Sequence, residues 1–250
     1  MTHRLQLAFV ADDFGRDAGV NRAILHAHVH GALTGASLMM GQEGTQEAIA
    51  LARSTPGLEI GWHLHLCDSR PLTRPAWPWG HSPVRAGFTL ALTPALRRWV
   101  RSELEHQWRA FQETGLTCRF INSHHHLHLH PWVWRVIQET VGDAAGAWFR
   151  GGAYRSFGPG GDLTLGLTCR IGNLRSRAFA SGPLRTPATV WGLDRVFRMN
   201  AEEILRVIPT LPPGLHEFMF HPRSVEVDLD SEALIGCRRL VVQPSGCPGS

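Results

Sequence analysis

Residues 5–15 read LQLAFVADDFG. A short apolar run that stops on two adjacent aspartates reads as a buried strand with its polar residues at the C-terminal end. The apolar stretch is too short for a secretory signal, which sets the expectation of a cytoplasmic protein.

Working outward, the same grammar repeats. Residues 18–30 carry apolar side chains at helical spacing, 37–40 form a short strand, and 43–54 form a helix stopped by Thr55-Pro56-Gly57. Residues 58–66, LEIGWHLHL, alternate as a strand. Thr93-Pro94 opens a helix to about Thr114. Strand 119–126, helix 131–141, strand 147–150, a weaker helix 167–179 and strand 188–193 follow. Asn200 with Glu203 caps a helix to Val207, and 215–221 is the last strand. Residues 67–92 (rich in Pro, Trp and Arg) and 151–165 (Gly-rich) read as loops. The tail, from about 231 to 250, is expected to be loose. Strands alternating with helices imply a parallel α/β sheet with helices outside. Six or seven such units in 250 residues suit a distorted TIM-like (β/α) barrel, one domain over residues 1–250, better than two domains.

Composition removes several functions. All 25 basic residues are arginine, so a Schiff-base lysine, a P-loop lysine and a Tyr/Lys dehydrogenase dyad are excluded. The arginines are scattered, with no run longer than two, so nucleic acid is not an expected partner despite the formal charge of +4. Five widely spaced cysteines without a CxxC indicate neither a zinc knuckle nor a disulfide framework.

Fifteen histidines are the anomaly, and the polar clusters fall at strand ends, which converge on one rim in parallel folds. Asp12-Asp13 is either a solvated turn with an aspartate cap or, beside a divalent cation, a ligand next to a base. His63 and His65 share one face of their strand and suit a metal rim. Residues 123–130, SHHHLHLH, put His124, His126, His128 and His130 on one face if the strand continues, or pair His124 with His128 if a helix begins. An Asp/His/His set with open positions fits a hydrolytic Zn²⁺ or Mg²⁺ centre. His221, at the end of LHEFMFHP, is a candidate general acid. Arg150 either forms a surface salt bridge or orients Asp12. Trp77 and Trp79 suggest an aromatic sugar platform or an apolar patch in the 67–92 loop.

The motifs ADDFG, GWHLHL, INSHHHLHLHP and EFMFHP, in that order over residues 5–222, resemble the YdjC-like carbohydrate deacetylases. The stretches WGLDRVFRM and LPPGLHEFMFHP are most similar to the hopanoid-biosynthesis-associated (HpnK) branch. The resemblance implies hydrolysis of an N-acetyl group from an amino sugar by an enzyme with one divalent ion. It implies Asp13, His63 and His124 as metal ligands, Asp12 as general base and His221 as general acid or transition-state stabiliser. Arg150, His126, Trp77 and Trp79 are candidate substrate-binding or supporting residues read from their positions in the sequence. The implied substrate is an N-acetylglucosaminyl lipid, which brings in transient contact with a membrane surface; chito-oligosaccharides are the alternative. A homodimer is a further expectation. Another metal-dependent hydrolase on the same fold, or a non-catalytic metal- or sugar-binding module, are the rival classes. Three departures stand out: Asn122 where other members often carry Asp, Arg223 where glycine is common, and no recognisable helical region after about Ser231.

Overall fold

The computed structural model describes residues 4–142, 144–158, 163–225 and 228–240. Its centre is β1 (Leu5–Phe14), whose last seven residues are all buried. β2 (Gly35–Leu38) pairs with one edge and β8 (Gly214–Phe220) with the other, both parallel. Outward from β2 come β3 (Glu59–Leu64), β4 (Phe120–Ser123) and β5 (Trp148–Phe149). Outward from β8 come β7 (Thr189–Trp191) and β6 (Ala153–Tyr154). The eight parallel strands curl into a half-barrel with helices around it. β5 and β6 do not pair, and the chain near Arg185 bridges that seam: the Phe149 N–H donates to the Arg185 carbonyl at 2.7 Å. The expected α/β barrel is therefore the fold found.

Helices α1 (Ala18–His30), α2 (Thr45–Ser54), α4 (Pro94–Glu113) and α5 (Pro131–Val141) follow the sequence reading. Asp17 caps α1 by accepting from the Val20 N–H at 2.9 Å, which satisfies one of the orphan donors of the first turn. Because both faces of a parallel sheet are covered, the strands are near-continuously buried rather than alternating.

Four expectations need correction. Residues 67–92 are not all loop: Ser82 caps α3 (Pro83–Leu92), with proline at its first position. Its apolar residues face both inward and outward, so helical periodicity was weak. The strand expected over 119–126 stops at Ser123, because His125 and His126 turn left-handed (φ 52° and 54°) and begin a 3₁₀ turn over His124–Leu129. The Gly-rich stretch 151–165 is not all loop: it holds β6 (Ala153–Tyr154) and the start of α6 (Leu163–Ala180), which is longer than the helix expected over 167–179. The tail is not loose from 231. After α7 (Ala201–Val207), α8 (Leu229–Gly236) packs on α1, accepting the Ala32 N–H at the Leu234 carbonyl (2.9 Å), and a short 3₁₀ turn follows over Arg238–Leu240. The rest of that expected tail, 241–250, lies outside the described residues. Among the described residues no helix is long and apolar enough to cross a membrane.

Candidate active site

Adjacent residues of a regular strand point to opposite faces. Asp12 and Asp13 nevertheless both line one cavity of about 550 Å³. The register of β1 shifts between Ala11 and Phe14, and Asp13 takes φ 68°, a left-handed conformation that is costly for a non-glycine residue. That kink swings the second carboxylate in beside the first.

His63 stands at the end of β3. Gly61, two residues earlier, brings the strand against Phe120: a Cβ there would lie 2.4 Å from its ring, so a side chain at 61 would push the strand outward. His63 Nδ1 is 2.6 Å from Asn122 Oδ1, an acceptor only, so Nδ1 carries the proton and Nε2 turns its lone pair towards Asp13. That Nε2 is 3.3 Å from Asp13 Oδ1, and His124 Nδ1 is 2.8 Å from the same oxygen. Asp13 Oδ1 and His63 Nε2 are both buried without a hydrogen-bond partner. Ligand atoms of Asp13, His63 and His124 all lie within 4.8 Å of one another. One carboxylate oxygen and two imidazole nitrogens, two of the three otherwise unsatisfied, fit a divalent cation. Burial opposes charge on both partners, but their mutual attraction overrides it. His124 is pushed up to about 9 and Asp13 is held well below the usual carboxylate range.

Asp12 is bound differently. Its Oδ1 accepts from Ser37 Oγ (3.0 Å), Asn122 Nδ2 (2.9 Å) and Arg150 (2.8 Å), and its Oδ2 accepts from Arg150 at 2.5 Å. Arg150 is fully buried rather than a surface residue, and its other flank meets Glu217 Oε1 at 2.6–2.7 Å. Burial alone would raise the Asp12 pKa; the Arg150 guanidinium overrides that and holds it below the usual range. Glu217 moves the other way, raised by burial, and its Oε2 has no hydrogen-bond partner. His221 Nε2 lies 3.7 Å from Asp12 Oδ2. Its backbone N–H is held by Asp230 at 2.6 Å, and the Phe197 ring packs edge-on at 5.2 Å under the Arg223 guanidinium. Burial lowers the His221 pKa although Asp12 and Asp13 oppose it, so the resting imidazole is neutral.

The histidine run divides into separate jobs. His126 lines the cavity and bonds Tyr154 Oη at 3.0 Å; His128 meets the same hydroxyl at 3.1 Å and Ser123 at 2.6 Å; His130 caps α5. His65, the supposed partner of His63 on a metal rim, is turned away and bonds the Met40 carbonyl and Ser69. Trp77 and Trp79 are not an open sugar platform. They are buried, stack on each other at 5.6 Å and pack on Trp99, outside the cavity wall.

Ser37, Glu217 and Asp68 were not found in the sequence. Ser37 is the penultimate residue of β2, Glu217 lies in the middle of β8, four residues before His221, and Asp68 follows β3. Asp68 accepts from His81 (2.9 Å) and Arg16 (3.1 Å) and faces His124 Nε2 at 3.5 Å. For Ser37 and Asp68 the available signal was position, a polar residue close to the C-terminal end of a strand; Glu217, in mid-strand, gave none.

A curled α/β half-barrel carries, at one end of its strands, a carboxylate and two imidazoles close enough to share a cation, beside an arginine-held aspartate and a histidine. The YdjC-like protein family matches residues 6–239, and the chain belongs to that family. It is 36% identical over 135 residues to a carbohydrate deacetylase of Brevibacillus brevis, covering 53% of this chain and 54% of that one. It is 36% identical over 146 residues to a carbohydrate deacetylase of Vibrio campbellii, covering 55% of each. The chain thus spans about half the length of the curated relatives it matches. In fold it is similar to the crystal structure of an Enterococcus faecalis protein assigned to cellobiose-phosphate cleavage (TM-score 0.63, 19% identity, 94% of this chain and 91% of that one).

Proposed function

We propose that the cavity hydrolyses the N-acetyl group of an amino sugar, with Asp13, His63 and His124 holding one divalent ion. The observation that carries this is the adjacency of two unlike carboxylates: Asp13, short of hydrogen bonds and facing two imidazoles, and Asp12, held by Arg150, Ser37 and Asn122 chiefly through Oδ1. When bound, a divalent ion supplies Lewis-acid polarisation of an amide carbonyl and lowers the pKa of water. Two imidazole donors suit Zn²⁺ better than Mg²⁺.

Asp12 is ionised and fixed in orientation, and it takes the proton of the attacking water as the O–C bond forms. His221 is neutral at rest, so it needs a proton before it can act as an acid. Asp12 Oδ2, 3.7 Å from its Nε2, is the near source. The proton taken from water passes to His221 and then to the amine nitrogen as the C–N bond breaks, leaving acetate and a free amine. A storage module needs neither Asp12 nor His221 in these places.

Besides its polar groups the cavity is lined by the apolar side chains of Leu165, Leu193, Val196, Phe197 and Met219. This supports a substrate with an apolar part next to its sugar, as in an N-acetylglucosaminyl lipid of the hopanoid branch, over a chito-oligosaccharide. The test is acetate release by EDTA-stripped protein with single divalent metals restored, on N-acetylglucosamine, chito-oligosaccharides and N-acetylglucosaminyl lipids. Metal-dependent release, greatest on the lipid, is expected. No release with any metal from folded protein overturns the reading; phosphate-ester turnover instead assigns another hydrolase.

A further inference from the structure

Two helices at the mouth of the cavity carry apolar rows that are exposed among the described residues. Pro83, the first residue of α3, and Leu165 and Thr168, in the first turns of α6, line the cavity, and both helices touch the 3₁₀ turn over His124–Leu129. On α3, Val84, Phe88 and Leu92 are 54%, 66% and 78% exposed. On α6, Leu167, Ile171 and Leu174 are 58%, 40% and 82% exposed. Each set falls on one face, within about 80° of the helix circumference at 3.6 residues per turn. Of the thirteen large apolar side chains exposed among the described residues, six belong to these two rows.

Their charge is one-sided. No acidic residue occurs from His81 to Val100 or from Leu163 to Leu193. Arg85, Arg98, Arg170 and Arg177 are exposed in these stretches. Apolar rows on stretches that carry arginine and no carboxylate of their own match a surface that is apolar below and anionic above. We propose that α3 and α6 form a docking face for an anionic lipid bilayer, so that the cavity mouth opens at the water–lipid boundary. A second copy of this chain on the same face would set the basic belts against each other by two-fold symmetry. A nucleic acid would satisfy the arginines and leave Phe88, Leu92 and Leu174 in water.

Docking does not need the deacetylase reading; only the nature of the delivered headgroup rests on it. The test is vesicle flotation of the whole chain, on phosphatidylcholine alone and on phosphatidylcholine with phosphatidylglycerol, at low and high salt. Two variants carry charge into the rows: Phe88→Glu with Leu92→Glu, and Leu167→Glu with Leu174→Glu. These positions are exposed, and circular dichroism checks that both variants fold. The expected result is flotation that requires phosphatidylglycerol, weakens with salt, and falls at least tenfold in each variant, because a charge in the apolar row opposes insertion. Acetate release from a water-soluble substrate stays unchanged. No flotation of the parent at low salt overturns the proposal, as does flotation that survives in both variants. A dimer that the variants split, without vesicle binding, assigns the face to a second copy; binding to duplex or single-stranded nucleic acid that the variants leave intact assigns the arginines elsewhere. Flotation reads docking without turnover and acetate release reads catalysis without lipid, so each reading fails by itself.

Discussion

Arg150 grips Asp12 through two nitrogens, at 2.5 and 2.8 Å, with both side chains closed off from solvent. The same guanidinium meets Glu217, so one buried cation faces two buried acids. Removing the cation leaves two uncompensated acids, and breaking a buried pair costs about 3–5 kcal/mol. Arg150→Met is therefore expected to lower the denaturation midpoint by that equivalent and to abolish activity. Arg150→Met with Glu217→Gln should regain part of the stability and none of the activity. A single variant as stable as the parent overturns the assignment.

The two aspartates should separate cleanly. Asp13→Ala and His63→Ala are expected to lose both bound metal and acetate release. Asp12→Asn should keep the metal and lose roughly 10²–10⁴ in kcat, the usual range for removing a general base. Metal content by elemental analysis beside turnover checks this; near-normal turnover in Asp12→Asn refutes the base.

Metal uptake should expel a proton. Without metal, His124 titrates near 9, raised by Asp13 and Asp68 above its ordinary 6.5 against the opposing pull of burial. Its ion pair therefore stabilises the metal-free fold fully below about 6.5, and that contribution is lost as pH rises through about 9. Metal competes with that proton, so affinity rises with pH over the same window. Calorimetry in buffers of different ionisation enthalpy is expected to show about one proton released per ion at pH 7. Release of none means that His124 is not a ligand.

Asn122 fixes His63 through its oxygen and Asp12 through its nitrogen. Asn122→Ala is expected to weaken metal binding roughly 10–100-fold, the usual cost of losing an outer partner of a metal-binding histidine. Turnover at saturating metal should fall too, since Asp12 loses a donor. Competition with a chromogenic chelator measures the first effect.

Much of this was legible because strand ends in a parallel sheet share one rim: Asp12, Asp13, His63, His124 and His221 all stand there, and the structure brings them together. What was not legible depended on backbone turns. Left-handed residues at 125 and 126 convert a period-two histidine run into a 3₁₀ turn, so His128 and His130 leave the site. Burial of Arg150 was hidden because its partners are 138 and 67 residues away in sequence. Trp77 and Trp79 read as surface because a Pro-rich stretch gives no period, yet Trp99 on α4 closes over them.

The unpaired junction between β5 and β6 leaves the half-barrel a slit in its wall. Transient opening begins where the backbone ladder is thinnest, and among the described residues the bridge near Arg185 is what spans that line. Amide exchange should be faster at Phe149 and Ala153 than in the middle of β1. Arg150 and Tyr154 stand on either lip, so a widened slit tugs first on the clamp around Asp12 and on the hydroxyl shared by His126 and His128. The three residues proposed to hold the ion, spread over β1, β3 and the turn after β4, ride on the unbroken wall. If the proposed reaction holds, mild heat is expected to silence it before the ion is shed.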